Sequence, residues 1–561
     1  MTVDDTGFGS VQIDWAAEPV PNLAAFESYG QAVDAFEWSV PEQFNIATDT
    51  VARHGEARGR VAMYRETTDG DAVHTFWQFD RRSNEVANAL ADAGVERGDR
   101  VAVIGSRSDS VMIANLAIWK LGAISVPLSV LYGPDGLAYR LRDCEPRAVF
   151  AAADRFEAVS EAIDGLDSVR TVIGLGAEPD VEGVQTAALS GFGGSYEFET
   201  VETAATDPAM VLYTSGTTGE PKGVLQAHQA LIGWLPSFQM CFELPWREDD
   251  PVLYVTPDLA WVGGLNLVLN AWHYGFPVFR DDAGRFDPVR TFDNIETWGL
   301  TRAVLVPAML KPMSELDVSQ WDLSLLSVVM SGSEPVSDPL YDFVTDEMGA
   351  SLNEMYGQTE ALHVVTSCSQ WFDVEPGSMG YPAPGHEVAI VDGESGDRKP
   401  DGDVGAIAVE RPDPVIFREL WNDPDRTEAR FVGDWMNTGD LGYRDEDGRF
   451  WFTARDDDLI LASGYRVAPA EVENSILQLD AVANVGVVGV DHERRGTIVK
   501  AFVRPAEDAD PGTDLEERIQ SHVAENLARY QYPREVAFVD ELPTTVTGKI
   551  RRHRLEERYG S

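Results

Sequence analysis

Lysine is scarce in this chain of 561 residues: only six of the 44 basic residues are lysine, and they face 94 acidic ones, for a net charge of −50. A surface so poor in positive charge repels phosphate backbones and anionic lipid headgroups, which excludes nucleic-acid binding through a broad basic patch and peripheral binding to acidic membranes. Any anionic substrate must therefore be met by a local exception. Cysteine is nearly absent too: Cys144, Cys241 and Cys368 stand far apart with no Cys-x-x-Cys, which excludes a disulfide framework and a thiolate zinc site. They read as buried thiols in a reducing compartment. No apolar run is clean enough to cross a bilayer, since 111–131 is interrupted by Asn115, Lys120, Gly122 and Pro127, and it reads as a buried helix followed by a strand. The start, 1–15, is acidic and has no basic region before an apolar one, so no secretory signal is expected and a cytoplasmic location is.

What remains is ordinary globular composition, 44% hydrophobic and 10% aromatic, at a length that predicts three or four folding units. Helical spacing over 79–93 is followed by Gly94, Gly98 and the β-branched run 101–104. Strand-like runs return at 303–306 and 326–330, the alternation of an α/β chain with mostly parallel sheets. No repeat of solenoid period is present. The charge run at Arg455-Asp456-Asp457-Asp458 breaks two apolar segments, and beyond it come strands at 484–490 and 497–503 and a helix at 515–529. The expected organisation is a large N-terminal domain, 1–455, of stacked sheets flanked by helices, and a small α+β C-terminal domain, 456–561.

One segment stands out chemically, Tyr213-Thr214-Ser215-Gly216-Thr217-Thr218-Gly219-Glu220-Pro221-Lys222-Gly223. Four hydroxyls, glycines that let backbone amides approach, and a lysine make a phosphate cradle. It lacks the Gly-Lys-Ser/Thr ending of a P-loop. Further along stand Ser331-Gly332-Ser333-Glu334-Pro335, Tyr356-Gly357-Gln358-Thr359-Glu360, Thr438-Gly439-Asp440, Arg455-Asp456-Asp457-Asp458, 463–469 and 543–550.

In their order and spacing these motifs resemble the adenylate-forming superfamily of acyl-CoA synthetases, luciferases and peptide-synthetase adenylation domains, over nearly the whole chain. The resemblance implies an ATP-dependent acid:CoA ligase that makes acyl-CoA, AMP and pyrophosphate through an acyl-adenylate, with ATP, Mg²⁺ and coenzyme A as its partners. Joining two anions calls for cations and a metal where the charges meet. The implied nucleotide contacts are Thr214, Ser215, Gly216, Thr217, Thr218, Gly219 and Lys222, then Ser333, Glu334 and Pro335, then Tyr356, Gly357, Gln358 and Thr359. Glu360 is the implied magnesium ligand. Asp440, whose carboxylate suits a ribose diol, and Arg455 are the implied sugar contacts. Lys549 is implied to bridge the substrate carboxylate and the α-phosphate, with Lys222, Thr359 and Glu360 completing the catalytic set. Asp457 matches the hinge, and Ser463, Gly464, Tyr465 and Arg466 match the loop that faces coenzyme A.

The nearest likeness is to medium-chain acyl-CoA synthetases, through 530–534 and 542–549. Acetyl-CoA synthetases carry tryptophan where Gly357 stands, so the glycine is expected to open an acyl pocket, with Trp261 and Val306 as further walls, for medium-chain, branched or aryl acids. His228 and His363 are not read as bases, because the carboxylate is already ionised at neutral pH. An acetyl- or propionyl-CoA synthetase and an enzyme loading a separate carrier protein stand as alternatives. The chain runs only twelve residues past Lys549 with no fused carrier domain, which weighs against the last.

The acids are spread along the chain, as at Asp249-Asp250 and Asp281-Asp282, and such a surface suits a salt-rich cytoplasm in which self-repulsion is screened. The expected outcome is that thermal unfolding followed against KCl shows a midpoint rising steadily toward molar salt. Equal stability in dilute buffer would sink that reading.

Overall fold

The computed structural model describes residues 13–561 apart from 69, 106–107, 215–220, 247–250, 283, 457–459, 463–464, 468, 493–495, 507–508, 528–530, 545–549, 553 and 556–561. The chain divides into two compact units. The first comprises 1–214, 221–388 and 409–436, and the second 215–220, 389–408 and 437–561.

Two sheets build the first unit. One runs in the order Glu419–Leu420, Lys222–Ala227, Pro208–Thr214, Ile124–Leu128, Arg100–Ile104, Ala148–Ala151, Thr171–Gly174, Gln185–Ala188. Its strands pair parallel except where Lys222–Ala227 meets its two neighbours. The inner strands are buried except at Arg100, which is why they read as continuous β-branched and alanine runs rather than alternating ones. The other sheet passes through Ser378–Pro382, Leu362–Thr366, Ser351–Gln358, Val328–Gly332, Arg302–Val304, Leu253–Tyr254, Val278–Asp281, Val61–Glu66 and Ala72–Thr75. It is parallel in the middle and antiparallel at both ends.

The helices fall where the pattern puts them. Phe76–Asp92 covers the predicted 79–93 and is started by a capping box, in which the Gln78 amide donates to Thr75 Oγ1 and the Thr75 amide donates to Gln78 Oε1. The apolar stretch becomes the helix Ser108–Lys120, buried on every side, followed by the strand Ile124–Leu128. Lys120 closes that helix inside the protein by donating to Asp80 Oδ1 at 2.7 Å, the Asp80 carbonyl at 3.0 Å and Asn84 Oδ1 at 2.6 Å. Among the described residues no helix is long and apolar enough to cross a membrane. The three cysteines are buried and free, and burial pushes the Cys144 thiol up to about 12.

In the second unit, Val482–His492 forms a long hairpin with Gly496–Pro505, and Glu535–Phe538 adds a parallel strand. Val472 and Ile476 of the helix Pro469–Leu477 and Leu515, Ile519 and Val523 of the helix Thr513–Asn526 pack on that sheet.

A buried charge cluster ties the start of the described chain to the core. His273, fully buried at the end of the helix Val262–His273, places Nδ1 2.6 Å from Asp49 and Nε2 2.8 Å from Glu18, while Arg53 reaches Glu18 at 2.7 Å and Asp49 at 3.2 Å. Burial alone would make this imidazole neutral, but the two carboxylates more than offset it and hold its pKa at about 9. Burial likewise pushes Glu18 upward, and His273 and Arg53 outweigh it and bring the carboxyl down to about 2. The ordinary histidine value is 6.5, so the stabilisation from charged His273 is complete below that pH and is lost as pH rises through about 9. Urea unfolding should therefore show stability falling between those limits, and His273→Gln should be less stable at pH 6 by on the order of 2 kcal/mol with the fall abolished. A wild type whose stability does not change across this window contradicts the assignment.

Candidate active site

The cradle motif lies at a hairpin of the first sheet. Pro208–Thr214 pairs antiparallel with Lys222–Ala227, and Thr214 sits directly opposite Lys222, so the two ends of the hydroxyl-rich loop are clamped side by side. Ser215, Gly216, Thr217, Thr218 and Gly219 lie outside the described residues. Thr214 Oγ1 is buried and has no hydrogen-bond partner among the described residues.

A second hairpin, in the other sheet, carries Tyr356-Gly357-Gln358-Thr359-Glu360. Ser351–Gln358 runs into Leu362–Thr366 through a turn at 359–361, with a register shift between Tyr356 and Gly357. Leu362 adopts φ +42°, a rare conformation for a branched side chain. This turns its carbonyl onto Gly357, where an added Cβ would lie 1.5 Å from the Leu362 oxygen and 2.7 Å from the His363 Cα. At Gly357 itself the backbone leaves no room for a side chain. The space a side chain would take is filled by the backbone of the opposite strand, and the glycine serves the tightness of the turn. At Gly263, in the first turn of the helix Val262–His273, an added Cβ would by contrast meet nothing within 4 Å among the described residues.

The tip of this hairpin is held from two sides. Gln226 Nε2 donates to the Thr359 carbonyl at 2.6 Å, and the Phe417 amide donates to the Glu360 carbonyl at 2.9 Å. The Glu360 carboxylate, 6% exposed, pairs through Oε1 with Lys222 Nζ at 2.9 Å and with Arg430 at 2.8 Å. Burial works to raise its pKa, but the two cations outweigh it and hold the carboxyl below the usual range. Two sequence motifs thus meet in one ion pair. Arg430 was not foreseen, because an arginine between Ala429 and Phe431 carries no motif.

Behind the Ser331-Gly332-Ser333-Glu334-Pro335 motif lies another contact missing from the sequence reading. Ser333 has φ +77°, and the loop it bends is anchored where Glu354, on the adjacent strand, accepts from the Val336 amide at 2.9 Å and the Gly377 amide at 2.8 Å. Burial pushes the Glu354 carboxyl up to about 8 in spite of both amides. A buried acid between amides of two loops shares one loop with the motif and has no sequence signature of its own.

In the second unit, Asp440 and Arg455 are register partners across the strands Trp435–Arg444 and Phe450–Arg455, and Arg455 donates to Asp440 Oδ1 at 2.9 Å. Thr438 Oγ1 accepts from the Asp440 amide, and Gly439 takes φ +76°. Tyr465 and Arg466 lie on the strand Tyr465–Val467, which pairs with Ile460–Ala462, and nothing is described of their side chains. Asp457, Ser463, Gly464 and Lys549 are outside the described residues.

Trp261 is half-buried just before the helix Val262–His273, its ring 6.5 Å from that of Tyr132, and Val306 caps the helix Pro307–Met313. His228 is buried in the core and His363 is half-buried, and burial lowers their pKa to about 4 and about 3. Both stay neutral at physiological pH. Neither stands as a surface base: Nδ1 of His228 accepts from the Ile46 amide at 3.3 Å, and His363 packs its ring 4.0 Å from that of Trp234.

Comparison with known proteins follows the same outline. The family model for the AMP-binding enzyme matches residues 50–421, and that for the AMP-binding enzyme C-terminal domain matches 471–549. The chain is 32% identical to an acetyl-coenzyme A synthetase of Bacillus subtilis (strain 168), covering 92% of this chain and 90% of that one. It is 31% identical to the human mitochondrial acyl-coenzyme A synthetase ACSM4 over 95% and 93%. Among solved structures it resembles the anthranilate CoA ligase AuaEII in complex with anthranoyl-AMP, with a TM-score of 0.81 and 28% identity over 92% of this chain and 98% of that one.

The two glycines make opposite predictions. Gly357→Ala drives a methyl group into the Leu362 carbonyl and should cost about 3 kcal/mol or more of stability, whereas Gly263→Ala fills open space and should stay within about 1 kcal/mol of the wild type. Thermal or urea unfolding of the two variants checks this, and equal effects would refute the packing at the turn.

Proposed function

The chain belongs to the AMP-binding enzyme family and is an AMP-forming acid:CoA ligase that works through an acyl-adenylate, and from that premise we propose that its acid is larger than acetate, a straight chain of four carbons or more, a branched acid or an aryl acid. The observation that carries the chemistry is the meeting of Lys222 and Glu360 at 2.9 Å, which sets a cation and a magnesium-competent carboxylate at the ends of two nucleotide motifs. The size of the acid is supported by the likeness to a ligase of an aromatic acid.

The proposed roles follow the motifs. Thr214 to Gly219 cradle the phosphates. Lys222 offsets their charge, Ser333, Glu334, Pro335, Tyr356, Gln358 and Thr359 hold the base and the α-phosphate, and Asp440 with Arg455 takes the ribose. Among the described residues no group of three or more His, Cys, Asp or Glu side chains is placed to hold a metal ion alone. Glu360 supplies one hard oxygen, the donor that suits Mg²⁺ arriving on a nucleotide. When bound, the ion neutralises phosphate charge while the carboxylate attacks. Lys549 is the proposed cation for the α-phosphate in that step, brought to the site by a mobile lid, 456–561, turning at Asp457. Ser463, Gly464, Tyr465 and Arg466 are the proposed contacts to coenzyme A in the thioester step. We further propose a salt-rich cytoplasm as its setting, supported by the net charge of −50.

The test is AMP formation in concentrated KCl with ATP, Mg²⁺ and coenzyme A, across acids from acetate to octanoate and branched and aryl acids. Activity on acids of four or more carbons with acetate at least tenfold poorer in kcat/KM is expected. Best activity on acetate would refute the acid class, and AMP and pyrophosphate release without a thioester would move the acceptor to a carrier protein.

A further inference from the structure

Gln226 reaches the candidate site without belonging to any of its motifs. It lies on the strand Lys222–Ala227, which is paired on one edge with Pro208–Thr214 and on the other with Glu419–Leu420. Side chains two apart on a strand share a face, so Lys222, Val224 and Gln226 form one row. Both ends of the row meet the same turn. Lys222 Nζ is 2.9 Å from Glu360 Oε1, and Gln226 Nε2 donates to the Thr359 carbonyl at 2.6 Å.

The other hold on that turn leads back to the same strand. The Phe417 amide donates to the Glu360 carbonyl at 2.9 Å, and the next residue, Arg418, donates its amide to the Leu225 carbonyl at 2.8 Å. One strand, beginning opposite Thr214 at the phosphate cradle, thus sets the backbone of Thr359 directly and that of Glu360 through a single intervening segment.

The side chain that makes the direct contact is a poor choice for packing alone. Gln226 is fully buried, and because its partner is a carbonyl the amide nitrogen must face Thr359. Oε1 is left buried with no hydrogen-bond partner among the described residues. An unpaired buried amide oxygen opposes folding, and a methionine would fill a similar volume without one. What the amide adds over methionine is the placement of Thr359.

We propose that Gln226 is a positioning residue for adenylation, fixing the Thr359–Glu360 turn to the strand that leaves the phosphate cradle so that both act on one nucleotide at a set spacing. The proposal rests on the reading of Thr359 as the α-phosphate contact and Glu360 as the magnesium ligand, and Gln226 itself touches no substrate. In a purely structural role it would serve folding alone, and the folded molecules of a variant would adenylate at the wild-type rate.

Gln226→Met separates the two, since it keeps the length of the side chain and removes the donor. Single-turnover pyrophosphate release at saturating ATP, Mg²⁺ and an accepted acid reads adenylation, and calorimetric titration with MgATP reads binding. The expected result is a rate constant lower by about 10-fold or more, the scale of a displacement of a fraction of an ångström between reacting groups, with MgATP affinity within threefold of the wild type. A rate within twofold of the wild type overturns the proposal, and so does a loss of rate matched in full by weaker MgATP binding. Should Gln226→Met not fold, Gln226→Asn takes its place, because its amide stops one methylene short of the Thr359 carbonyl, and the same outcomes decide. A wild type that releases no pyrophosphate with any acid would refute the ligase reading and this proposal with it, whereas an active wild type beside an equally active variant refutes the proposal alone.

Discussion

The site depends on one buried carboxylate held between two cations. Glu360 projects from the tip of a hairpin whose geometry admits little latitude, since the positive φ of Leu362 and the missing side chain of Gly357 let the two strands close to contact at the turn. Move that tip and the pairing with Lys222, which rises from a different sheet, is lost. Because the Gln226 side chain binds the Thr359 carbonyl and the Phe417 amide binds the Glu360 carbonyl, the backbone that carries the carboxylate is fixed from two other segments. Rigid placement of this kind lets a charge act on a substrate at no reorganisation cost during reaction.

The global charge and the local site pull in opposite directions. Dispersed acids create a field that disfavours anions, yet both substrates joined in the first step are anions. The resolution is short range: cations 2.8–2.9 Å from a carboxylate act over a few ångströms, whereas the field of exposed acids is cut off beyond a Debye length of about 8 Å at physiological salt and sooner at higher salt. A salt-rich solvent would weaken the repulsion far more than the half-buried site, so acidity of the surface and affinity for nucleotide need not conflict.

Much of this was legible in residues alone. The runs 101–104 and 484–490 became strands, 79–93 and 515–529 became helices to within a few residues, and the interrupted apolar stretch became a buried helix and a strand, because burial on one face leaves a period and burial on both leaves a continuous apolar run, signals that need no tertiary knowledge. That Lys222 and Glu360 serve one site was implied by the resemblance the motifs carry, but their pairing with each other was not. What could not be read was contact made by residues without a pattern. Arg430 and Glu354 act through the distance to a partner 70 or 18 residues away, and one arginine or glutamate in a chain rich in charge carries no mark of that. Gly357 is a related case: a missing side chain signals room, but whether the room stays empty depends on the opposite strand.

The His273 cluster shows by contrast what makes an ion cluster structural. There the imidazole is fully buried, the carboxylates of Glu18 and Asp49 flank it, and Arg53 closes the set with two acids for two cations. Charge is balanced and the cationic ring cannot leave without exposing two desolvated carboxylates, so the cluster holds chain segments together and no more. At Glu360 two cations, each within reach of solvent, meet a single carboxylate oxygen. Replacing one of those cations by a metal, or the carboxylate's share of one by a phosphate, leaves no buried charge alone. Buried acid–base clusters elsewhere in the chain can be sorted by that same test of access before any motif is consulted.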